Sequence, residues 1–226
     1  MKFRLALVAA ALAASGIAHA ATYDYSVWTA APANAPGATG VVATSYGNVG
    51  VTYVGTGFYQ GDMPNWSAET STWAGGAVSN VPTYGVDGIL HLQGGTDASN
   101  TITFSQAITN PVMTIWSLGQ NNDPTTFVFS GNAVPTVVAG GPSAEYGGIA
   151  ITASGNTVTG IEGNGTVEFM GTFTSISWTN PLAENWYGFS VGAPDVAAAV
   201  PEPGSMGLLL AGLTLVGLAA RRRQKR

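Results

Sequence analysis

Short runs of β-branched and aromatic residues, each four to eight long and closed by glycine or asparagine, recur from Tyr23 to Val191. The clearest pair is TVEFM and TFTSISWT, Thr166–Met170 and Thr172–Thr179, on either side of Gly171. In a strand successive side chains point to opposite faces. Val167 and Phe169 are therefore expected inward, with Thr166 and Glu168 left to solvent. The same pattern marks Tyr23–Val27, Val49–Val54, Ile89–Leu92, Thr101–Phe104, Val112–Leu118, Thr125–Phe129, Ile149–Thr152, Thr157–Ile161 and Trp186–Val191. Between them lie Gly94-Gly95, Ser130-Gly131-Asn132, Ser154-Gly155-Asn156 and Glu162-Gly163-Asn164-Gly165. The last predicts a tight hairpin, because asparagine and glycine both tolerate positive φ. No internal stretch shows helical periodicity with caps, and no repeat recurs at a fixed period. The expectation is an all-β fold: an antiparallel β-sandwich, jelly-roll-like, built from about ten strands.

Charge divides the chain into three segments. All seven lysines and arginines lie at the ends: Lys2, Arg4, Arg221, Arg222, Arg223, Lys225 and Arg226. Between Ala21 and Ala199 there are none, while eleven of the twelve carboxylates lie there, a formal −11. Such a surface has no cations to displace counterions from phosphates, which excludes nucleic acid as a partner. Anionic lipid headgroups would repel it too. The chain has no cysteine, so neither a disulfide framework nor a thiolate zinc site can form.

The two ends read as addresses. Lys2 and Arg4 precede the apolar stretch Leu5–Ala14, and Ala18 and Ala20 supply small residues for signal peptidase. That is the three-part build of a secretory signal peptide over residues 1–20, cleaved after Ala20. At the far end, Gly204–Ala220 is 17 residues without a charge. As a helix it would span about 25 Å, short for a hydrocarbon core of about 30 Å but enough for a thin membrane. The basic tail 221–226 would hold its end in the cytoplasm by the positive-inside rule. Residues 196–226 then form a linker and a sorting segment, leaving 21–195 as the exported domain.

The order Pro201-Glu202-Pro203, apolar stretch, terminal arginine cluster resembles the PEP-CTERM sorting signal of Gram-negative bacteria. The resemblance implies processing near the triplet by a membrane-embedded transpeptidase-like enzyme, an exosortase. It also implies transient anchoring in the inner membrane, then residence at the cell surface or in an exopolysaccharide matrix. Prolines on both sides of Glu202 keep that backbone extended and out of any helix, which suits a protease-accessible handle. The stretch from Gly163 to Gly192 resembles the closing strands of other ectodomains that carry this tail.

Groups able to do chemistry are few. His91, alternating with Leu90 and Leu92, is expected on a strand surface; it could join Asp87 or Asp97 in a Ser/His/Asp site, but no G-x-S-x-G elbow accompanies it. Glu162 and Glu168, or Asp62 and Glu69, could serve as a glycosidase pair. Solvated surface acids are the better account of their presence, and no cationic side chain is available to stabilise developing negative charge. Calcium is the one cofactor candidate, at the oxygen-rich loops Gly94–Asn100 and Gly119–Thr126; turn formation by Asn and Asp explains both loops as well. The long stretch Gly55–Gly88 carries Tyr59, Trp66, Trp73 and Tyr84, rings that could stack on sugars or plug one end of the core.

The sequence thus predicts a non-enzymatic, carbohydrate-binding β domain with extracellular polysaccharide as partner and no catalytic residue. A secreted carboxylate-dependent glycoside hydrolase or lyase is the alternative. Isolated Thr-x-Thr pairs, Thr101/Thr103 and Thr172/Thr174, make no repeated array in the sequence itself.

Overall fold

The computed structural model describes residues 21–30, 37–55, 78–79, 88–143, 148–185 and 187–194. Among these residues there are fifteen strands and no helix. The strands are β1 (Ala21–Ala30), β2 (Gly37–Thr44), β3 (Gly47–Val54), β4 (Val78–Ser79), β5 (Leu90–Leu92), β6 (Thr96–Thr109), β7 (Val112–Leu118) and β8 (Thr125–Phe129). They continue with β9 (Pro135–Gly140), β10 (Ile149–Ala150), β11 (Thr152–Ser154), β12 (Thr157–Gly160), β13 (Gly163–Phe169), β14 (Thr172–Asn180) and β15 (Tyr187–Pro194).

All fifteen belong to one sheet. Its main path runs β10-β13-β7-β15-β1-β2-β3-β6-β14-β8-β12-β11, with β4, β5 and β9 pairing onto β1, β15 and β13. Pairing is antiparallel except for β1 with β4 and β10 with β13. This corrects the sandwich of two separate sheets. The cause is β1, which serves both halves: Tyr23–Tyr25 pair with β15, Ser26–Ala30 pair with β2, and the register slips between Trp28 and Ala30. A strand bent at such an irregularity turns a corner without leaving an open edge. At the other end of the path β11 lies against β9, and β12 against β13 and β7. The result is a nearly closed, barrel-like sheet.

Its interior is aromatic. Trp178 and Phe189 meet edge to face at 5.2 Å, Tyr53 lies 5.6 Å from Phe189, Phe127 5.1 Å from Tyr187, and Phe129 4.9 Å from Phe169. Such offset and perpendicular contacts suit the ring quadrupoles. Where polar groups enter, they are chained. The Tyr53 hydroxyl donates to Asn100 Oδ1 at 2.7 Å, and Asn100 Nδ2 donates to Asn180 Oδ1 at 2.9 Å, linking β3, β6 and β14.

The two halves of the sheet differ on their outer faces. On β2 and β3 and along Asn100–Ser105 of β6, buried and more exposed residues alternate, and hydroxyls line up across strands: Thr39 opposite Thr52, Thr52 opposite Thr103, Thr103 opposite Ser175. All four are exposed. Of the Thr-x-Thr residues that look isolated in sequence, Thr103 is thus drawn into a row by register, whereas Thr101 faces Val54 and Ser177, and Thr172 faces Thr109. On β7, β13 and β15 nearly every residue is buried, on both faces. Val167 and Phe169 do point into the core, but Thr166 is fully buried rather than solvated. Its hydroxyl bonds Thr114 Oγ1 at 2.8 Å, which bonds the Tyr25 hydroxyl at 2.8 Å.

Candidate functional site

Three connections at the ends of the doubly buried strands converge on one cleft of about 410 Å³. Its lining is Ser117 near the end of β7, Gln120 and Asn121 after it, Glu162 before β13, and Glu184 and Asn185 before β15. The first connection reverses tightly. Gln120 and Asp123 exchange two backbone hydrogen bonds of 2.9 Å, and Asn122 takes φ 65°, a conformation asparagine tolerates. Just before it, Gly119 (φ 82°) packs so closely on the Gly160 carbonyl that a side chain would collide with it.

Ser117 and Glu162 both adopt left-handed backbone, φ 52° and 49°. Non-glycine residues hold that conformation only where surrounding contacts enforce it. Here the enforcer is Asn164, fully buried. Its Oδ1 accepts the Ser117 backbone N–H at 2.9 Å, and its Nδ2 donates to the Glu162 carbonyl at 3.1 Å. The Glu162 N–H in turn donates to the Gly119 carbonyl at 3.0 Å. The tight hairpin expected at Glu162–Gly165 is therefore not what forms. Asn164 and Gly165 lie inside β13, and β12 and β13 do not pair, so the segment crosses between the two halves of the sheet. Asn164 serves as a brace between the end of β7 and the bend before β13.

Within the cleft the carboxylates are held by neutral donors. Ser117 Oγ donates to Glu162 Oε2 at 2.8 Å, and Gln120 Nε2 donates to Glu184 Oε1 at 3.4 Å. Glu184 is 5% exposed and Glu162 half-buried. The Glu184 carbonyl accepts the Gly94 N–H at 2.9 Å, which fastens the β14–β15 loop to the turn after β5. The oxygen-rich loop Gly119–Thr126 thus supplies two lining residues, and Gly94–Asn100 abuts the loop that carries Glu184. Among the described residues no group of three or more His, Cys, Asp or Glu is placed to hold a metal ion.

The pair Glu162 and Glu168 is not brought together. The two occupy opposite ends of β13, and Glu168 Oε1 accepts from the Tyr23 hydroxyl at 3.2 Å. Glu162 instead shares the lining of one cleft with Glu184, a neighbour that no spacing in the sequence pointed to. His91 is not on a strand surface either. It is fully buried, and that burial pushes its pKa down to about 4, leaving a neutral imidazole at physiological pH. It pairs in register with Gly188, which pairs with Trp116 on the far side. Burial likewise raises the phenol of Tyr25 to about 12 and those of Tyr23, Tyr53 and Tyr187 well above their ordinary value.

Tyr59, Trp66, Trp73, Tyr84, Asp62, Glu69 and Asp87 lie outside the described residues, as do the signal segment with Ala18 and Ala20, the triplet Pro201–Pro203, the apolar stretch 204–220 and the basic tail. Among the described residues no helix is long and apolar enough to cross a membrane.

The PEP-CTERM protein-sorting motif matches residues 199–223. The match spans Pro201-Glu202-Pro203 and Arg221–Arg223, the elements named from the sequence. No curated protein and no solved structure matches the chain. The class defined at this point is that of an exported β protein carrying a PEP-CTERM sorting motif, which implies processing by an exosortase and sorting to the cell surface.

Proposed function

We propose that the exported β domain is a non-enzymatic, carbohydrate-binding module of the cell surface or exopolysaccharide matrix, and that the cleft between Ser117, Glu162 and Glu184 is where the glycan sits. The observation that carries this reading is the cleft's lining. A hydroxyl, three side-chain amides and two carboxylates face one cavity, a mixture of donors and acceptors suited to sugar hydroxyls. Its volume falls within the range of small-ligand sites, about 300–1,000 Å³. The two left-handed residues braced by Asn164 fix the lining before any ligand arrives, which lowers the ordering cost of binding. Signal peptidase and exosortase are its processing partners, and the inner membrane its transient host through residues 204–220.

A glycan array probed with the exported protein tests the reading, with Glu184→Gln and Gln120→Ala alongside. Binding to at least one glycan, weakened about tenfold or more by each change, is expected. Full binding by both variants would overturn the placement, and no binding at all would overturn the module itself.

The presence of Glu162 and Glu184 in the lining of one cleft also favours the second reading, a carboxylate-dependent glycoside hydrolase or lyase, since such enzymes set two acids across one cleft. Release of new reducing ends from a bound polysaccharide, abolished by Glu184→Gln and by Glu162→Gln, would establish it. Binding without turnover supports the module.

A further inference from the structure

We infer that one pole of the barrel-like sheet, marked by Tyr46, Val134 and Met170, rests on the lipid bilayer while the sorting tail is held there, so that the cleft is presented away from the membrane. The inference rests on the reading that residues 204–220 enter the inner membrane, and it names the surface of the domain that meets lipid.

The polarity follows from register. β15 runs from Tyr187, two residues after the cleft's Asn185, to Pro194, the last described residue before the sorting segment. Gly188 pairs with Trp116 beside Ser117, whereas Gly192 pairs with Val112 at the start of β7. On β13, Gly163 lies opposite Leu118 and Glu168 opposite Val112. The cleft and the exit at Pro194 therefore occupy opposite ends of the same strands. With eight residues in β15 at about 3.3 Å each, the two poles stand about 25 Å apart. Tyr23 pairs with Pro194, so β1 begins at the exit pole as well, and both segments addressed to the membrane join the domain there.

The tether is short. Residues 195–203 separate Pro194 from Gly204, and however they run they reach at most about 35 Å. Turning the domain over, so that the cleft met lipid, would use about 25 Å of that reach merely to run back along β15. The exit pole is the one that a tether of this length brings down.

The chemistry of that pole suits the contact. Met170, just after β13, is 65% exposed, and Val134, just before β9, and Tyr46, in the β2–β3 turn, are each 52% exposed. Pro135 pairs with Phe169, which brings Val134 and Met170 to the same end of neighbouring strands. The Tyr46 hydroxyl donates to the Pro194 carbonyl at 3.5 Å, which puts that ring at the exit itself. A tyrosine and apolar tips gain by entering the headgroup boundary. Ile149, Ile161 and Leu182 are exposed at the cleft pole too, so apolar exposure alone does not choose between the two. Charge does. Among the described residues the exposed carboxylates are Asp97, at the start of β6, and Asp123, in the turn after β7, both at the cleft pole. The acids near the exit, Asp24 and Glu168, are half-buried, and Glu168 accepts the Tyr23 hydroxyl at 3.2 Å. Repulsion from anionic headgroups fades within a Debye length of about 8–10 Å, so exposed acids at the far pole leave the contact unopposed.

The chain has no cysteine, so a single label can be placed without background. Full-length protein carrying Tyr46→Cys, Met170→Cys or Leu182→Cys, each bearing a fluorophore, is reconstituted into vesicles of phosphatidylethanolamine with a minor share of phosphatidylglycerol and of a headgroup nitroxide lipid. Quenching at the Tyr46→Cys and Met170→Cys labels should exceed that at Leu182→Cys by about threefold or more, given the separation of the poles. All three positions are exposed, and the two exit-pole labels guard against a misfolded variant. Val134→Asp should lower quenching at Met170→Cys, because it sets an acid against anionic headgroups. Equal quenching at the three labels, or the strongest at Leu182→Cys, overturns this inference while the anchoring reading survives. Quenching at the exit-pole labels that rises with protein density at constant nitroxide content reports contact between copies, and overturns it likewise. A full-length chain that fails to float with the vesicles removes both the anchoring reading and this inference.

Discussion

The half of the sheet built on β2, β3, β6 and β14 and the half built on β7, β13 and β15 are made by the same chemistry of alternating strands, yet they carry different burdens. In the first, one face of the strands is open to water, and Asp97 is the only charge on its four strands. In the second, strands are buried on both faces, so a polar residue pointing away from the core must find a partner inside the protein. Thr114, Thr166 and Tyr25 form one such chain, and Asn164 braces the end of β7 against the bend before β13. The candidate cleft lies at the ends of these doubly buried strands. Strained residues such as Ser117 and Glu162 need a rigid surround to hold them, and only the second half supplies it.

That comparison can be broken by substitution. The largest loss is expected from Phe189→Ala on β15. The ring is fully buried and packs on Trp28, Tyr53 and Trp178, so its removal should cost about 3–5 kcal/mol in denaturant unfolding. Asn164→Ala comes next, at about 1–3 kcal/mol, because it leaves the buried Ser117 N–H without its acceptor. It should also weaken glycan binding, since the segments carrying Ser117 and Glu162 lose their common brace.

A smaller effect depends on pH. The His91 pKa is about 4 when folded against 6.5 ordinarily. Between those values the unfolded chain binds more protons, so stability is full above pH 6.5 and is lost as pH falls toward 4, by up to about 1.4 kcal/mol per pH unit. His91→Leu should remove that component, read as the difference between the two proteins' unfolding curves from pH 7 to pH 4. An unchanged slope would mean the imidazole takes up its proton in the fold just as it does in the unfolded chain. The least effect belongs to the first half: Thr103→Ala, in the exposed hydroxyl row, should change stability by no more than about 0.5 kcal/mol. A cost like that of Asn164→Ala would erase the distinction between the halves.

The same contrast decides what the sequence could tell. Val112–Leu118 and Thr125–Phe129 coincide with β7 and β8, and Thr172–Thr179 falls one residue short of β14. Length and β-branched content mark such runs whether one face is buried or two. β2, GATGVVAT, and β9, PTVVAG, escaped notice because glycine, alanine and proline blur the period. The shared corner at β1 is invisible locally, since nothing in YDYSVW announces that its two ends pair with different neighbours. The cleft was the least legible part. Glu162 is 22 residues from Glu184 and 45 from Ser117, and only strand order brings them together. Asn164-Gly165 looked like a hairpin turn; its actual task, bracing a crossover, depends on the Ser117 backbone that the fold presents to it. The sorting tail is the opposite case, local and ordered, and therefore readable without a structure.

The central claim is that ligand is held where the doubly buried strands end. Hydrogen–deuterium exchange on the exported protein, with and without a saturating bound oligosaccharide, tests it most directly. Slower exchange confined to Ser117–Asp123, Ile161–Gly163 and Ala183–Asn185 is the result expected. Slower exchange instead along Thr39, Thr52, Thr103 and Ser175, with the cleft unaffected, would contradict it and move the binding surface to the hydroxyl row.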